Sequence, residues 1–202
     1  MADWKGKIID GRYAVDALLG EGGMGVVLRA RHTFTGVPAA VKLLHPRLRL
    51  QDSLAARFLA EARAPATIGH PGIVSVTDAG RTPEGDLYLV MELLQGETLK
   101  ARMAREPLPF EAIRAVLLDI LDALAAAHAV GLIHRDLKPD NVFLCQPGGA
   151  VKLLDFGIAK VVREGNSPDQ GATTTGAVLG TLVYMSPEQL RDARQVDHRT
   201  DL

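Results

Sequence analysis

Several features that assign many chains to a class are missing from this one. The 202-residue sequence has one cysteine, so no intrachain disulfide can form, and Cys145 is expected to be a small apolar residue ending a strand. The net charge of −1 gives no reason to expect nucleic acid or a membrane surface as a partner. No apolar run is long enough to cross a bilayer, and residues 1–10 lack the hydrophobic core of a secretion signal. The remaining composition, 47% apolar and 23% charged, is that of a globular protein.

One stretch concentrates polar side chains in a pattern suited to phosphoryl transfer. It reads His134-Arg135-Asp136-Leu137-Lys138-Pro139-Asp140-Asn141, and Asp155-Phe156-Gly157 follows it. Asp136 can accept the proton of an attacking hydroxyl, and Lys138 can neutralise the moving phosphoryl group, while Asn141 and Asp155 can hold Mg²⁺. The alternative is that these are ordinary solvated loop residues. The full eight-residue pattern together with Asp-Phe-Gly is unlikely to arise by chance, which disfavours that alternative.

A β-hairpin is predicted between the two metal-binding side chains. Residues 141–144 and 151–154 are short apolar runs typical of strands, and residues 146–149 form a turn cluster, Gln-Pro-Gly-Gly. Such a hairpin would bring Asn141 and Asp155 to neighbouring ends.

A glycine-rich segment near the start of the chain fits the pattern G-x-G-x-x-G-x-V. By itself it is compatible with a dinucleotide fingerprint, a flexible loop or a kinase phosphate loop. A dinucleotide fingerprint is followed at once by a helix, whereas residues 26–30 continue as a strand, so we expect a hairpin bend folded over phosphates. The loop residues expected to contact the nucleotide are Gly20, Glu21, Gly22, Gly23, Met24 and Gly25.

A single lysine interrupts the next apolar run, Val37 to Leu44. Burying Lys42 is costly unless an anion lies nearby, so we expect it to bind ATP. A helix is predicted from Ser53 to Ala64, and Glu61 is the acid best placed on it to pair with Lys42. The alternative for Glu61 is an ordinary solvated helix residue.

These motifs together resemble those of Hanks-type, eukaryotic-like serine/threonine protein kinases. The Gly-Gly-Met-Gly loop and the Ser-Pro-Glu-Gln-Leu segment at 186–190 are similar to the bacterial branch, and the resemblance extends from Arg12 to Leu202. It implies transfer of the γ-phosphoryl group of ATP to protein Ser or Thr hydroxyls, with Mg²⁺ or Mn²⁺. Lys138 together with Thr181 is similar to the serine/threonine subclass. The implied partners are ATP, protein substrates and a second copy of the chain for trans-autophosphorylation, and the implied location is the cytoplasm.

The same resemblance implies roles for residues that patterns alone do not single out. Arg135 would pair with a phosphate group on Thr173, Thr174 or Thr175 when the loop is phosphorylated. The alternative is a polar loop that contains threonines by composition. The residues implied to contact the adenine are Val27, Ala40 and Phe143 on its faces, Met91 as gatekeeper, and the backbone of Glu92 and Leu94 at its edge.

An α+β, two-lobe architecture follows. We expect a lead-in at 1–11, a strand-rich N-lobe at 12–90, a hinge at 91–96 and a mainly helical, partial C-lobe at 97–202. The clearest helix starts at Pro109 and ends before Gly131. His128 near its end is expected to be packed or favoured by the helix dipole. The predicted apolar stripe of this helix is Ile113, Val116, Leu117, Ile120, Leu121 and Leu124.

Two departures from the family pattern qualify the expectation. Pro65 stands four residues after Glu61, so the helix is expected to kink or end near Ala64, which favours an inactive resting state. The chain also stops where the central C-lobe helix should open, which predicts a truncated domain. By the resemblance Asp201 would brace the backbone of the loop that carries Asp136, but the truncation predicts that it lies at a frayed terminus. The truncation supports a second hypothesis, a non-catalytic nucleotide-binding or regulatory module. Retention of Lys42, Asp136 and Asp155 favours the enzyme.

Overall fold

The fold is described from a computed structural model of the chain. It describes residues 4–22, 25–46, 55–56, 58–59, 62, 67–156, 183–192 and 196–202. The chain divides into two compact units. The first comprises Met1–Arg63 and Ser75–Leu94, and the second comprises Ala64–Val74 and Gln95–Leu202.

The first unit is built on a six-stranded antiparallel sheet with the strand order β1-β2-β3-β4-β6-β5. β2 pairs antiparallel with β3, with Gly22 opposite Gly25 as the predicted hairpin requires, and β5 pairs antiparallel with β6. The strands are β1 (Ile8–Ile9), β2 (Tyr13–Gly22), β3 (Gly25–His32), β4 (Pro38–Leu44), β5 (Val76–Arg81) and β6 (Leu87–Glu92).

One face of this sheet carries an apolar core. Side chains alternate between faces along a strand, and residues directly opposite on neighbouring strands share a face. Val41 lies opposite Leu28 on β3 and Val90 on β6, and all three are at most 1% exposed. The core cluster on this face consists of Ile9, Tyr13, Val15, Val26, Leu28, Ala30, Ala39, Val41, Leu43, Tyr88 and Val90.

Of the predicted helix at 53–64, the structure describes only part. The Ala62 N–H donates to the Phe58 carbonyl over 2.9 Å, the i to i−4 bond of a helical turn. Phe58 and Ala62 are buried. Glu61 and Pro65 lie outside the described residues, so the expected kink stays a prediction.

The second unit combines a three-stranded sheet with helices. The sheet has the order β7-β8-β9, and β8 and β9 form the antiparallel hairpin predicted from the sequence. Its described elements are β7 (Gly96–Thr98), α1 (Leu99–Arg105), α2 (Phe110–Ala129), a 3₁₀ turn (Pro139–Asn141), β8 (Val142–Cys145), β9 (Val151–Leu153), α3 (Pro187–Asp192) and a second 3₁₀ turn (His198–Asp201).

Helix α2 has the predicted limits. Pro109 is its N-cap, and Gly131 follows its C-cap with φ +75°. The Gly131 and Leu132 N–H groups donate to the carbonyls of His128 and Ala127, which is the paired C-terminal bonding that favours glycine at this position.

The predicted apolar stripe of α2 is partly wrong. Ile113, Leu117 and Leu121 are 41%, 51% and 47% exposed. The helix is apolar around more than one face, and the face that packs against the β8–β9 hairpin is rotated from the predicted one. The buried residues of α2 are Ile120, Ala123, Leu124 and Ala127.

Candidate active site

Four predicted nucleotide contacts lie together on the second face of the first unit's sheet. Val27 lies opposite Lys42, and Ala40 lies opposite Met91. Ala40 and Lys42 are two apart on β4, so all four side chains share the face opposite the apolar core. Lys42 is only 7% exposed. A buried ammonium group on an apolar sheet face is suited to an anionic ligand.

The glycine-rich segment is the bend between β2 and β3, as predicted. Glu21 pairs with Val26, and Gly22 pairs with Gly25. A Cβ at Gly25 would lie 2.1 Å from the Leu43 carbonyl oxygen, so no larger residue fits there without moving β4. Gly20, by contrast, has open space around its Cα. Gly23 and Met24 lie outside the described residues.

The other residues predicted to contact adenine are Glu92 and Leu94, near the end of the first unit, and Phe143 in the second unit. Glu92 ends β6, its N–H donates to the Ser75 carbonyl over 3.0 Å, and its carboxylate accepts the Ser75 N–H over 2.8 Å. Leu94 is the last residue of the first unit. Phe143 lies on β8, opposite Lys152 and Thr98.

Asp136 is the centre of a small hydrogen-bonded group in the second unit. The Lys138 Nζ lies 2.8 Å from Asp136 Oδ2, and the Asn141 Nδ2 donates to the same oxygen over 3.0 Å. Asn141 Nδ2 also donates to the Asp136 carbonyl over 2.7 Å. The carboxylate is only 10% exposed, so these bonds hold it in one orientation.

The Asn141 side-chain amide is thereby held in one orientation. Both of these hydrogen bonds use its nitrogen, so its oxygen is the atom suited to a hard cation. The Leu154 N–H donates to the Asn141 carbonyl over 2.9 Å, which puts Asp155 beside Asn141, as the predicted hairpin requires. Asp155 has φ +61°, an uncommon conformation for a residue with a side chain. Such strain is often found at functional sites.

Within the described residues, no group of three or more His, Cys, Asp or Glu side chains could hold a metal ion. Asn141 and Asp155 are a two-residue donor set. Mg²⁺ typically takes one or two protein ligands together with substrate phosphates, so the pair fits a metal that arrives with a nucleotide.

The fully buried ring of His134, on the loop that carries Asp136, forms hydrogen bonds through both of its nitrogens. Its Nε2 donates to the Leu154 carbonyl over 2.8 Å, and its Nδ1 accepts the Asp136 N–H over 3.3 Å. The ring packs against Phe156 in a tilted arrangement, with centroids 4.6 Å apart and an interplanar angle of 57°. Burial lowers the pKa of His134 below its usual range, although the nearby Asp201 carboxylate opposes the shift. The His134 ring thus links the loop that carries Asp136 to Leu154, the residue that follows β9.

Asp201 holds the backbone of the same loop. Its Oδ2 accepts the His134 N–H and its Oδ1 accepts the Arg135 N–H, both over 2.8 Å. His128, expected to be packed or dipole-favoured, places Nε2 2.8 Å from Asp201 Oδ2. The Asp201 side chain is 1% exposed. The expectation of a frayed position is therefore wrong, because three hydrogen bonds bury this carboxylate against the loop.

Arg135 has an unusual environment. It adopts φ +66°, and among the described residues its Nη1 is the buried side-chain atom that lacks a hydrogen-bond partner. A buried guanidinium nitrogen without a partner is costly, and a phosphate group would satisfy it. Thr173, Thr174, Thr175 and Thr181 lie outside the described residues, as does Gly157.

Gln189 is the contact that the sequence did not single out. It is a buried residue of α3 whose Nε2 donates to the Arg135 carbonyl over 2.8 Å. No periodicity marks it, and its only signal in the sequence is its place directly after Ser186-Pro187-Glu188.

Comparison with known proteins agrees with this geometry. Residues 13–202 match the protein kinase domain family. The chain is 42% identical over 207 residues to the serine/threonine-protein kinase pkn3 of Myxococcus xanthus, covering 99% of this chain and 37% of that protein. It is 39% identical over 196 residues to PknL of Mycobacterium tuberculosis, covering 96% of this chain and 47% of that protein. The Mycobacterium tuberculosis PknI kinase domain is similar in structure, with a TM-score of 0.76 at 30% identity, covering 99% of this chain and 73% of that chain.

The chain belongs to the protein kinase family. Its relatives are bacterial serine/threonine kinases, which confirms the resemblance and the two-part α+β fold class. The chain spans less than half the length of these curated relatives. Family membership implies the use of ATP, a divalent metal and protein substrates in general terms. No helix in the described parts of the chain is both long and apolar enough to span a membrane.

Proposed function

We propose that the protein transfers the γ-phosphoryl group of ATP to Ser or Thr hydroxyls of proteins. The observation that carries the proposal is the environment of Asp136. The Asp136 carboxylate, only 10% exposed, is held by Lys138 and Asn141 on one loop, and the loop is itself held by His134 and Asp201. This is the set of side chains that phosphoryl transfer to a hydroxyl requires.

In the proposed reaction, Asp136 Oδ accepts the proton of the acceptor hydroxyl. The hydroxyl oxygen forms a bond to the γ-phosphorus, and the bond from that phosphorus to the bridging oxygen of ADP breaks. The Lys138 ammonium, 2.8 Å from Asp136 Oδ2, neutralises charge on the phosphoryl group as it moves. Thr181 completes the serine/threonine pattern with Lys138.

Asn141 and Asp155 are proposed to hold the metal, Mg²⁺ or alternatively Mn²⁺. When bound, this metal neutralises phosphate charge. The orientation of the Asn141 amide and the strained backbone of Asp155 support the assignment.

The first unit is proposed to bind the nucleotide through one sheet face and the β2–β3 bend. Lys42, buried at 7% exposure, would bind phosphate oxygens, and Glu61 would pair with it. The proposed adenine contacts remain Val27, Ala40, Met91, Glu92, Leu94 and Phe143.

The proposal is tested at the two carboxylates. We expect Asp136→Asn to lower phosphotransfer about 10² to 10⁴-fold with ATP affinity nearly unchanged, because the base is lost and the nucleotide contacts are not. Asp155→Ala should instead abolish metal-dependent ATP binding. Single-turnover transfer of labelled phosphate and nucleotide titration measure the two effects. Near wild-type transfer by Asp136→Asn would contradict the assignment.

We also propose that Arg135 responds to phosphorylation at Thr173, Thr174 or Thr175. The buried Nη1 of Arg135 supports this, because a phosphate would supply its acceptor. Replacing the three threonines by alanine should lower activity, and in Arg135→Ala the phosphorylated and unphosphorylated forms should be equally active. Mass spectrometry of the active enzyme should find phosphate on this segment, and its absence would argue against the proposal.

The proposed location is the cytoplasm, because the reaction consumes ATP. A second copy of the chain is a proposed partner for trans-autophosphorylation. Dilution distinguishes this route, because a reaction between two copies slows with concentration and a reaction within one copy does not.

A further inference from the structure

Gln189 is a buried amide with both ends engaged. It lies on α3 with 8% exposure, and its Nε2 donates to the Arg135 carbonyl over 2.8 Å. Its Oε1 accepts the Ser186 N–H over 3.0 Å. A buried amide with a satisfied donor and acceptor has one favoured orientation. The side chain therefore links the start of α3 to the loop that carries Asp136.

The carbonyl that Gln189 binds belongs to the peptide unit that joins Arg135 to Asp136. The N–H of the same peptide unit donates to His134 Nδ1 over 3.3 Å. The peptide group between Arg135 and Asp136 is thus held by side chains at both its carbonyl and its N–H. A rotation of this peptide group would move the Asp136 carboxylate.

This peptide needs outside support because Arg135 is strained. Its φ of +66° is a left-handed conformation that is unfavourable for a residue with a side chain. The Arg135 N–H is bound by Asp201, and its carbonyl is bound by Gln189, so the strained residue is held on both sides.

The segment that carries Gln189 is also tied to the neighbourhood of Asp201. The hydroxyl oxygens of Ser186 and Thr200 lie 2.7 Å apart, and Thr200 directly precedes Asp201. A displacement of the segment 186–189 would therefore change the supports of Arg135 together.

We infer that Gln189 is a positioning residue for phosphotransfer, which acts by fixing the Arg135–Asp136 peptide and so the direction of the Asp136 carboxylate. The inference rests on the proposed role of Asp136. It also predicts that the position of the segment 186–189 affects the catalytic rate. Gln189 connects that segment to the loop that carries Asp136 through its hydrogen bond to the Arg135 carbonyl.

The experiment uses the purified protein that contains this chain, with Gln189→Glu and Gln189→Met. Both replacements are close to glutamine in length, and neither can donate the bond to Arg135 when the glutamate is ionised. Gln146→Glu is the matched control, because Gln146 is an exposed residue in the β8–β9 turn. We expect kcat to fall about 10 to 100-fold in both Gln189 variants, with the KM for ATP within about twofold of wild type.

A second measurement separates positioning from a merely structural role. If Gln189 acts through Asp136, then Gln189→Glu should cause no further loss of single-turnover rate in an Asp136→Asn background. An equal loss in both backgrounds, or a kcat in both Gln189 variants within twofold of Gln146→Glu, would overturn the inference. Rates are taken per folded protein, and Gln189→Met provides the answer if Gln189→Glu folds poorly. Absence of phosphotransfer in the wild-type protein would instead refute the proposed function, and the role of Gln189 with it.

Discussion

The sheet of the first unit and the candidate catalytic loop of the second, residues 134–141, hold their candidate residues by different means. In the sheet, Val27 and Lys42 are placed by strand pairing, so the backbone ladder sets their positions. In the loop, Arg135 and Asp136 are placed by side chains that bind their peptide groups. A ladder distributes its support over many bonds, whereas the loop depends on a few. The loss of a single side chain should therefore do more damage in the loop than in the sheet.

The largest effect is expected at Asp201. In Asp201→Asn one carboxylate oxygen becomes an NH₂ group that faces a backbone N–H, so at least one charge-assisted hydrogen bond is lost and a buried donor is left without an acceptor. We expect the free energy of unfolding to fall by about 3 kcal/mol and phosphotransfer to fall about 10²-fold. Urea denaturation and single-turnover assays measure the two quantities.

Asp197→Asn is the control for Asp201. Asp197 is exposed and caps the same 3₁₀ turn by accepting the Arg199 N–H over 2.9 Å. Asparagine caps about as well as aspartate, so the change in stability should stay within about 0.5 kcal/mol. Equal losses at the two positions would show that the contacts of Asp201 do not set the difference.

A smaller effect is expected in the sheet, at a residue whose substitution disturbs the backbone itself. The Cβ added in Gly25→Ala would lie 2.1 Å from the Leu43 carbonyl oxygen, so β3 and β4 must separate locally. We expect a loss of about 1 to 3 kcal/mol in the free energy of unfolding. Gly20→Ala, in open space on the same bend, should be close to neutral. Similar losses in both variants would mean that the close approach at Gly25 is not what the fold requires.

The smallest effect is a pH dependence of stability at His134. Burial lowers the pKa of His134 in the folded protein below the ordinary value of about 6.5, so below that pH the unfolded chain binds more protons. Stability is then fully present above pH 6.5 and is lost as the pH falls, by at most about 1.4 kcal/mol per pH unit. His134→Gln keeps a donor and an acceptor without this titration, so unfolding between pH 7 and 5.5 should depend less on pH. An unchanged pH dependence of unfolding in His134→Gln would contradict this prediction.

The sequence by itself predicted the phosphoryl-transfer motifs and determined several elements of local structure. The apolar run of residues 37–44 predicted a strand, and the turn cluster at 146–149 predicted the hairpin that joins Asn141 to Asp155. The capping residues Pro109 and Gly131 set the limits of α2. All of these depend on steric and hydrogen-bonding rules between residues close in the chain, so they can be predicted without knowledge of the whole fold.

Only the tertiary structure decided that Asp201 is buried against the loop 134–141 instead of frayed, and that Gln189 also holds this loop. Asp201 binds the His134 N–H across 67 positions, and Gln189 binds the Arg135 carbonyl across 54. It also decided which side of α2 is buried, because Leu117 and Leu124 are both apolar in the sequence and only Leu124 packs against the hairpin. The physical reason is that hydrogen bonds and packing between distant residues depend on the path of the chain. Neither periodicity nor motif spacing records that path.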